Sequence, residues 1–251
     1  MRSVRLFLAG SMALLLSLSA NAQPQRQPFT VTGPGGEVLV EGFGDCGRAN
    51  CPAVLILSGS RGFAAQAYDD LGKTLQAAGL NAYLVHVLSQ ADLAAIAGAS
   101  GAKARIAYQD QRRADWMTSV QAVARFLKNQ PQHGGKTAIL GISLGAQTAS
   151  AASAGNDAID ALVLVDGGFP NGYSKPVQSL PPLLLIWGSN DKVFPLSIGQ
   201  NLHETAQKLG GQSQLAVYED GGHDFFLKSG TQDAVEAHRQ AAEFLADYLN
   251  R

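Results

Sequence analysis

The sequence predicts an α/β fold with a mostly parallel sheet of about eight strands and helices on both faces. Short apolar runs with almost no polar break are typical of strands buried on both sides. Longer segments with helical periodicity separate these runs, and alternation of strands and helices favours a parallel sheet. With 251 residues, 46% hydrophobic and 16% charged, the chain can bury one large core, which we expect at 23–251.

The predicted strands begin with a hairpin at one edge of the sheet. Phe29 to Thr32 and Val38 to Phe43 are strand-like segments that flank a Gly-Pro-Gly-Gly turn at 33–36. Because turn residues separate two short apolar segments, an antiparallel pair is expected here. Further strands are predicted at 53–57, 81–88, 137–142, 161–165, 183–187 and 214–218.

The predicted helices lie between these strands. The first extends from about Tyr68 to Ala78 and ends at Gly79, a typical helix stop. Residues 89–108 are rich in alanine and glycine, which is compatible with a helix, a loop over the site, or both, and alanine favours the helix. Other helices are expected at about 110–128, directly after Ser143, at 197–209 and at about 231–249.

The first 22 residues are expected to be a signal peptide. Arg2 and Arg5 precede an apolar stretch, Leu6 to Leu18, and the sequence at 20–22 is typical of a cleavage site. A membrane anchor is the alternative, but the apolar stretch is short for spanning a bilayer. We therefore expect a mature chain that starts at Gln23 and is periplasmic or secreted.

The two cysteines of the chain, Cys46 and Cys51, are five positions apart. An exported protein meets an oxidising compartment, which favours a disulfide between them. A short loop gives such a bond a value of about 2 kcal/mol at most. The alternative is a metal-binding pair, for which two further ligands are not found nearby in the sequence.

The formal net charge of −1 gives the chain no strong electrostatic field. We therefore expect no nucleic-acid partner and no stable membrane insertion of the mature chain. A small-molecule ester is the expected partner, and the oligomeric state is left open. No metal or organic cofactor is implied by the motifs described next.

Ser143 is the predicted nucleophile. It lies at the centre of a Gly-x-Ser-x-Gly sequence, with Gly141 and Gly145 on either side, between a predicted strand and a predicted helix. In this setting the serine stands in a strained turn with its hydroxyl exposed, and side chains at the two glycine positions would collide with neighbouring backbone. An ordinary serine at a helix start is the alternative interpretation.

His223 is the predicted base, because a serine hydroxyl needs a proton acceptor at neutral pH. It follows a strand and the flexible pair Gly221 and Gly222, and so lies at the carboxyl edge of the sheet, where catalytic groups collect. The other histidines are expected in a strand or at its end, in a turn, or on surface helices: His86, His133, His203 and His238.

Asp191 is the predicted acid of the triad. It follows a buried strand and lies between Ser143 and His223 in the chain, which is the order that this motif requires. Its carboxylate would accept the second ring N–H of the histidine and stabilise the imidazolium. Asp166, after the preceding strand, is the rival acid, and a role in a turn alone is the other alternative.

The predicted oxyanion hole consists of two backbone N–H groups. Leu144 follows the nucleophile, and the second donor is expected in the loop after the third strand, at Ser60 or its neighbour Arg61. Arg61 could also pair with an acidic group of a substrate, or simply be a solvated side chain. Aromatic residues in loops after strands are candidates for an acyl pocket, although core packing is their commoner role: Phe63, Phe169, Tyr173, Phe194 and Phe225.

With these residues placed, residues 29–250 resemble the α/β-hydrolase superfamily, and most closely its dienelactone-hydrolase-like branch. The resemblance implies a triad of Ser143, Asp191 and His223. Dienelactone hydrolases proper differ in having a cysteine nucleophile and a glutamate at the position of Gly59, and many relatives have a histidine at the position of Ser58. The segments that carry the resemblance are Gly141-Ile142-Ser143-Leu144-Gly145, Trp187-Gly188-Ser189-Asn190-Asp191 and Gly221-Gly222-His223-Asp224-Phe225-Phe226.

These residues predict an exported serine hydrolase that cleaves a carboxylic ester through an acyl-enzyme. A thioesterase, lactonase, peptidase or acyltransferase would use the same triad, so these activities stay open. A binding protein on an inactive hydrolase scaffold, or an interaction protein of the cell envelope, is the alternative from another class. The residues do not imply the specific chemistry of dienelactone hydrolases proper, because the nucleophile is Ser143 and Gly59 stands at the position of the glutamate.

Overall fold

The computed structural model describes residues 26–250, where an eight-stranded sheet has the order β1-β2-β4-β3-β5-β6-β7-β8. The predicted signal peptide lies outside the described residues. The strands are β1 Gln27–Gly33, β2 Gly36–Gly42, β3 Ala53–Leu57, β4 Asn81–Val85, β5 Thr137–Ile142, β6 Ala161–Val165, β7 Leu183–Gly188 and β8 Ser213–Tyr218. The helices are α1 Ala67–Ala77, α2 Gln90–Ala97, α3 Ala102–Lys128, α4 Leu144–Ser153, α5 Leu196–Lys208 and α6 Gln232–Leu249.

The sheet is parallel from β4 to β8, and the hairpin β1–β2 adds two antiparallel strands at one edge. The sheet order places β4 on one side of β3 and β5 on the other, so the chain reverses direction across the sheet at β3. Loops after such neighbouring strands diverge and leave a crevice at their carboxyl ends. The candidate active site lies at this crevice.

Two hydrophobic layers hold the helices against the sheet, because alternate residues of a strand face opposite sides. In β3, Val54 and Ile56 belong to a core with residues of α1 and α6, including Leu71 and Leu245. The alternate residues Ala53, Leu55 and Leu57 belong to a second core with α3, α4 and α5. Every residue of β3 is buried, which explains its uninterrupted apolar sequence.

The predicted elements are confirmed, with three corrections. The helix predicted from about Asp110 begins earlier, at Ala102. The earlier start was missed because the first turns of α3 are exposed and consist of helix-forming residues without apolar periodicity. The strand predicted at 81–88 ends at Val85, which places His86 just beyond the strand end. His238 was expected on the surface but is buried in α6, where its Nε2 lies 3.0 Å from the carbonyl oxygen of Phe226.

The disulfide expected between Cys46 and Cys51 is present, with 6.4 Å between the two Cα atoms. It closes a loop between β2 and β3 at the end of the sheet opposite the crevice. Contacts with the body of the protein also hold this loop, since the backbone N–H of Cys46 donates to Asn81 Oδ1 at 2.9 Å. Within residues 26–250, none of the helices combines the length and apolarity needed to span a bilayer.

Candidate active site

Ser143 occupies the sharp turn between β5 and α4, with φ 55° and ψ −114°. This is a strained conformation for a residue with a side chain, and such strain is concentrated at functional sites. A Cβ added to Gly141 would lie 2.5 Å from the carbonyl oxygen of Gly145. One added to Gly145 would overlap the carbonyl oxygen of Leu57. The two glycines are therefore required by close backbone packing, as the sequence predicted.

A chain of hydrogen bonds joins three of the predicted residues. Ser143 Oγ lies 2.9 Å from His223 Nε2, and His223 Nδ1 lies 2.8 Å from Asp191 Oδ2. Asp191 is almost fully buried, whereas the histidine side chain is 18% exposed. The imidazole can thus take a proton from the serine hydroxyl on one side while its other nitrogen donates to the carboxylate.

The loops after β7 and β8 hold these side chains in place. Asp191 Oδ1 accepts the backbone N–H groups of Val193 and Phe194 at 2.7 and 2.9 Å, which orients the other carboxylate oxygen towards His223. The N–H of Asn190 donates to the carbonyl oxygen of Gly221 at 2.9 Å and ties the two loops together. The acid and the base are therefore positioned by one hydrogen-bonded unit.

The two predicted oxyanion donors, Leu144 and Ser60, line one cavity together with Ser143. Leu144 is the first residue of α4, so its N–H belongs to the first turn, which has no intrahelical acceptor. Among the described residues, the N–H of Ser60 donates no hydrogen bond. The hydroxyl of Tyr68, whose pKa is raised to about 12 by burial, accepts the N–H of Gly59 at 3.2 Å and fixes the loop that carries Ser60.

Ser143 opens into two adjoining cavities of about 410 and 480 Å³. The first lies between the loop after β3 and the segment that follows His223, and Tyr68 and Leu227 contribute its apolar wall. The second lies beneath the first turns of α3, where Ile106 and Phe194 face the serine. A site with two compartments can hold the acyl and alcohol parts of a substrate on either side of the nucleophile.

The second cavity is lined by three arginines and by no acidic residue. Arg61 is 86% exposed, and its guanidinium lies 3.4 Å from Asp224. Arg113 pairs with Asp110 and donates to a backbone carbonyl. Arg105 makes no ion pair with any described residue. The cavity therefore offers one unpaired cation to an acidic group.

No residue of helix α3 was among the predicted site residues, although a loop over the site at 89–108 was one of the alternatives. The signal in the sequence was a concentration of basic residues at 103–113 in a nearly neutral chain. Asp92 of α2 anchors this part of α3 by accepting hydrogen bonds from Tyr108, Arg112 and Trp116. Burial opposes its ionisation, but the bonds from Tyr108, Arg112 and Ser89 hold the pKa of Asp92 well below its usual range.

The aromatic candidates are not gathered around the serine. Phe194 lines the second cavity, and its ring centroid lies 5.5 Å from that of His223. Phe63 and Phe225 are buried in the core beside α1 and α6, because their positions after the strands turn their rings inwards. Phe169 and Tyr173 stack on each other at 4.7 Å and line neither of the two cavities.

Asp166, the rival acid, follows β6 and is fully buried. Its Oδ1 accepts the N–H of Gly188 at 3.0 Å, whereas its Oδ2 has no hydrogen-bond partner among the described residues. Burial is the main cause that raises the pKa of Asp166 to about 8. The carboxyl group is therefore largely protonated at neutral pH, unlike the carboxylate expected of a triad acid.

Two clusters contain residue types that bind metals. Donor atoms of Asp166, Asp191 and His223 lie within 4.8 Å of one another. However, Asp191 and His223 use their facing atoms in the hydrogen bond between them. The second cluster combines Asp45 with the two disulfide cysteines, which lack the thiolate charge that metal binding needs. Neither donor set fits a bound metal well.

The sheet order, the strand–serine–helix turn and the chain order Ser, Asp, His define an α/β-hydrolase. The sequence profile of the dienelactone hydrolase family matches residues 44–251. The chain therefore belongs to the dienelactone hydrolase family and is a hydrolase, as the resemblance in the sequence implied. No curated protein matches the chain.

Solved structures of other hydrolases have the same fold. A dienelactone hydrolase from Anabaena variabilis is 20% identical, with a TM-score of 0.70 over 90% of this chain and 99% of its own. A cold-adapted esterase from an Arctic intertidal metagenomic library is 18% identical, with a TM-score of 0.66 over 92% and 99%. The esterase of Pyrobaculum calidifontis is 16% identical, with a TM-score of 0.65 over 89% and 85%.

Proposed function

We propose that the protein is a serine esterase in which Ser143 is the nucleophile, His223 the base and Asp191 the acid. The observation that supports this most directly is the continuous hydrogen-bonded chain from the serine hydroxyl to the buried carboxylate. The strained backbone of Ser143 and the free N–H groups beside it provide independent support.

In the acylation step, His223 Nε2 accepts the proton of Ser143 while Oγ attacks the ester carbonyl. The negative charge that forms on the carbonyl oxygen is stabilised by the N–H groups of Leu144 and Ser60. Asp191 stabilises the imidazolium through Nδ1. The imidazolium then gives its proton to the alcohol oxygen as the C–O bond breaks, which leaves an ester between the acyl group and Ser143.

In the deacylation step, water takes the place of the alcohol. His223 removes a proton from the water as its oxygen attacks the acyl carbon, and the same two N–H groups stabilise the second oxyanion. The proton returns to Oγ when the bond to Ser143 breaks. The products are a carboxylic acid and free enzyme, so protein groups alone account for every proton transfer.

The change Ser143→Ala tests this function. Removal of the nucleophile is expected to lower kcat for p-nitrophenyl acetate by roughly 10⁴- to 10⁶-fold. It should also abolish labelling by a fluorophosphonate probe, which reacts only with an activated serine. Ser174→Ala is a matched control, because Ser174 is exposed in a loop and contacts no catalytic candidate. Wild-type turnover in folded Ser143→Ala protein would reject the proposal.

Model substrates can define the ester further. The two cavities beside Ser143 are of similar size, so neither the acyl nor the alcohol side is restricted to the smallest groups. We expect esters to be cleaved faster than amides of the same acyl group. A series of acyl chain lengths, measured with esters and with thioesters, gives kcat/KM for each; a consistent preference for thioesters would reassign the protein as a thioesterase.

We also propose that the protein is exported, with cleavage of residues 1–22 and one hydrolase domain at 23–251. The disulfide between Cys46 and Cys51 is compatible with an oxidising compartment. Cell fractionation and sequencing of the mature N-terminus test this, and we expect the chain to begin at Gln23. A variant that lacks residues 2–22 should stay in the cytoplasm; a full-length chain recovered uncut from the cytoplasm would reject export.

A further inference from the structure

Asp166 lies directly behind the candidate triad. It follows β6, which is located between the strand that leads to Ser143 and the strand that leads to Asp191. Its backbone has φ 46°, and its N–H donates to the carbonyl oxygen of Ile186 in β7 at 3.0 Å. The carbonyl of the preceding residue, Val165, accepts the N–H of Ser143 at 2.9 Å. The backbone that positions the nucleophile thus also positions this carboxyl group.

Only one of the two carboxyl oxygens of Asp166 accepts a hydrogen bond. Oδ1 has the N–H of Gly188, but Oδ2 is buried without a hydrogen-bond partner among the described residues. A buried polar atom without a partner costs roughly 1–3 kcal/mol. A residue needed only for a turn would not require this cost, so the free oxygen calls for an explanation.

The carboxyl group of Asp166 has a potential partner nearby. Donor atoms of Asp166, Asp191 and His223 all lie within 4.8 Å of one another. Asp191 already uses both of its oxygens, one for backbone N–H groups and one for His223. A shift of about 2 Å or less would bring a carboxyl oxygen of Asp166 to hydrogen-bond distance from the imidazole.

We propose that Asp166 is a second acid of this site, a positioning residue whose free oxygen can hold the His223 imidazole in place of Asp191. The inference rests on the proposed function. In this role, Oδ1 keeps the N–H of Gly188 while Oδ2 accepts the Nδ1 proton of His223. Asp166 itself gives up no hydrogen bond in the exchange, because its Oδ2 starts without a partner.

The protonation state of Asp166 explains why Asp191, rather than Asp166, accepts the hydrogen bond from His223 in the wild type. Burial, against the lowering effect of the Gly188 N–H and together with the nearby carboxylates Asp191 and Asp224, raises the pKa of Asp166 to about 8. At neutral pH Asp166 is therefore mostly uncharged, and the imidazole pairs with Asp191. Loss of Asp191 removes one cause of the raised pKa, so Asp166 ionises more readily beside the imidazole.

The test compares Asp191→Ala, Asp166→Asn and the double variant with p-nitrophenyl acetate. An enzyme with a single acid is expected to lose roughly 10⁴-fold in kcat without it. If Asp166 can replace Asp191, the kcat of Asp191→Ala should fall by only about 10²-fold. The kcat of the double variant should fall by a further 10- to 100-fold or so. Asp166→Asn alone completes the double-mutant cycle, and its effect on kcat/KM should be smaller than the effect of the same change in the Asp191→Ala background, because Asp191 remains.

The pH profile separates positioning from a structural effect. The residual kcat of Asp191→Ala should rise as Asp166 ionises, and this rise should be absent in the double variant. A matched control is Asp157→Asn combined with Asp191→Ala, because Asp157 is an exposed acid before the same strand. This control should keep the activity and pH profile of Asp191→Ala.

Equal activity of folded Asp191→Ala and the folded double variant would overturn the inference. If the double variant does not fold, Asp166→Ser replaces Asp166→Asn in the Asp191→Ala background. A kcat of Asp191→Ala that does not rise with pH through the range in which Asp166 ionises is by itself enough for rejection. Ser143→Ala keeps the two proposals distinct. Full activity of Ser143→Ala rejects the esterase mechanism, whereas an inactive Ser143→Ala with no contribution from Asp166 rejects only the second acid.

Discussion

A single buried residue, Asp166, makes the stability of this protein depend on pH. Its pKa is raised from 3.8 to about 8 in the folded chain because of burial. Between these two values the folded state keeps the proton that the unfolded state has lost. The contribution of Asp166 to the free energy of unfolding therefore falls as the pH rises from about 4 to about 8, by up to about 1.4 kcal/mol per pH unit.

We expect Asp166→Asn to remove this dependence, because an amide of similar shape does not titrate. Urea unfolding of wild type and variant between about pH 5 and pH 8 measures it, since other groups titrate equally in both proteins. The advantage of the wild type over the variant should decrease steadily across this range. Parallel stability curves for the two proteins would contradict the prediction.

Residue-level reasoning from the sequence worked best where chemistry and backbone geometry restrict the choice. The glycines around Ser143 were predicted from crowding, and the structure contains the expected close contacts at both positions. Ser143, His223 and Asp191 are brought together, although their catalytic roles stay predictions until tested. The orientation of single aromatic rings, as at Phe63, depends on packing that the sequence does not specify.

At the scale of elements, the exposed first turns of α3 bring a cation to the candidate site. Arg105 lines the second cavity with Ser143 and has no ion-pair partner among the described residues. An acidic group on a substrate would meet little competition there. Since an exposed ion pair contributes up to about 1 kcal/mol, the effect on binding should be modest.

We expect Arg105→Gln to raise KM about two- to fivefold for an ester that has a free carboxylate, and to leave KM for its neutral counterpart unchanged. Arg125→Gln is the matched control, because Arg125 is an exposed residue on the last turn of the same helix and lines neither cavity. Steady-state kinetics with hemisuccinate and butyrate esters at low salt measure the difference. Equal changes for both esters would contradict a role of charge.

The elements themselves were predictable to different degrees. Buried parallel strands such as β3 and β5 have uninterrupted apolar sequences, and their bounds agree with the prediction. The start of α3 was missed because its first turns contact solvent on most sides and so have no apolar stripe. Helix formation there depends on alanine and arginine propensity and on the anchor at Asp92.

Across the whole molecule, the candidate site and the disulfide lie at opposite ends of the sheet. The carboxyl end holds the candidate triad and both adjoining cavities. The amino end of β3 is closed by the Cys46–Cys51 loop, about 17 Å away along a strand of five residues. This separation is a consequence of the parallel topology, because all loops after the central strands emerge on one side. Changes at the disulfide should therefore affect stability without affecting the site.

The double change Cys46→Ser and Cys51→Ser is expected to lower the free energy of unfolding by about 2 kcal/mol or less. The value is small because the closed loop is short and other contacts still hold it: Arg48 donates to Gly79 at 3.0 Å and to Asn250 at 2.8 Å. Urea unfolding of the mature chain measures the loss, and kcat/KM should stay within about twofold of the wild type. Reduction with dithiothreitol should destabilise the wild type by a similar amount and leave the serine variant unchanged, because only the wild type has the bond to lose. A serine variant as stable as the oxidised wild type would mean that these contacts hold the loop without the disulfide.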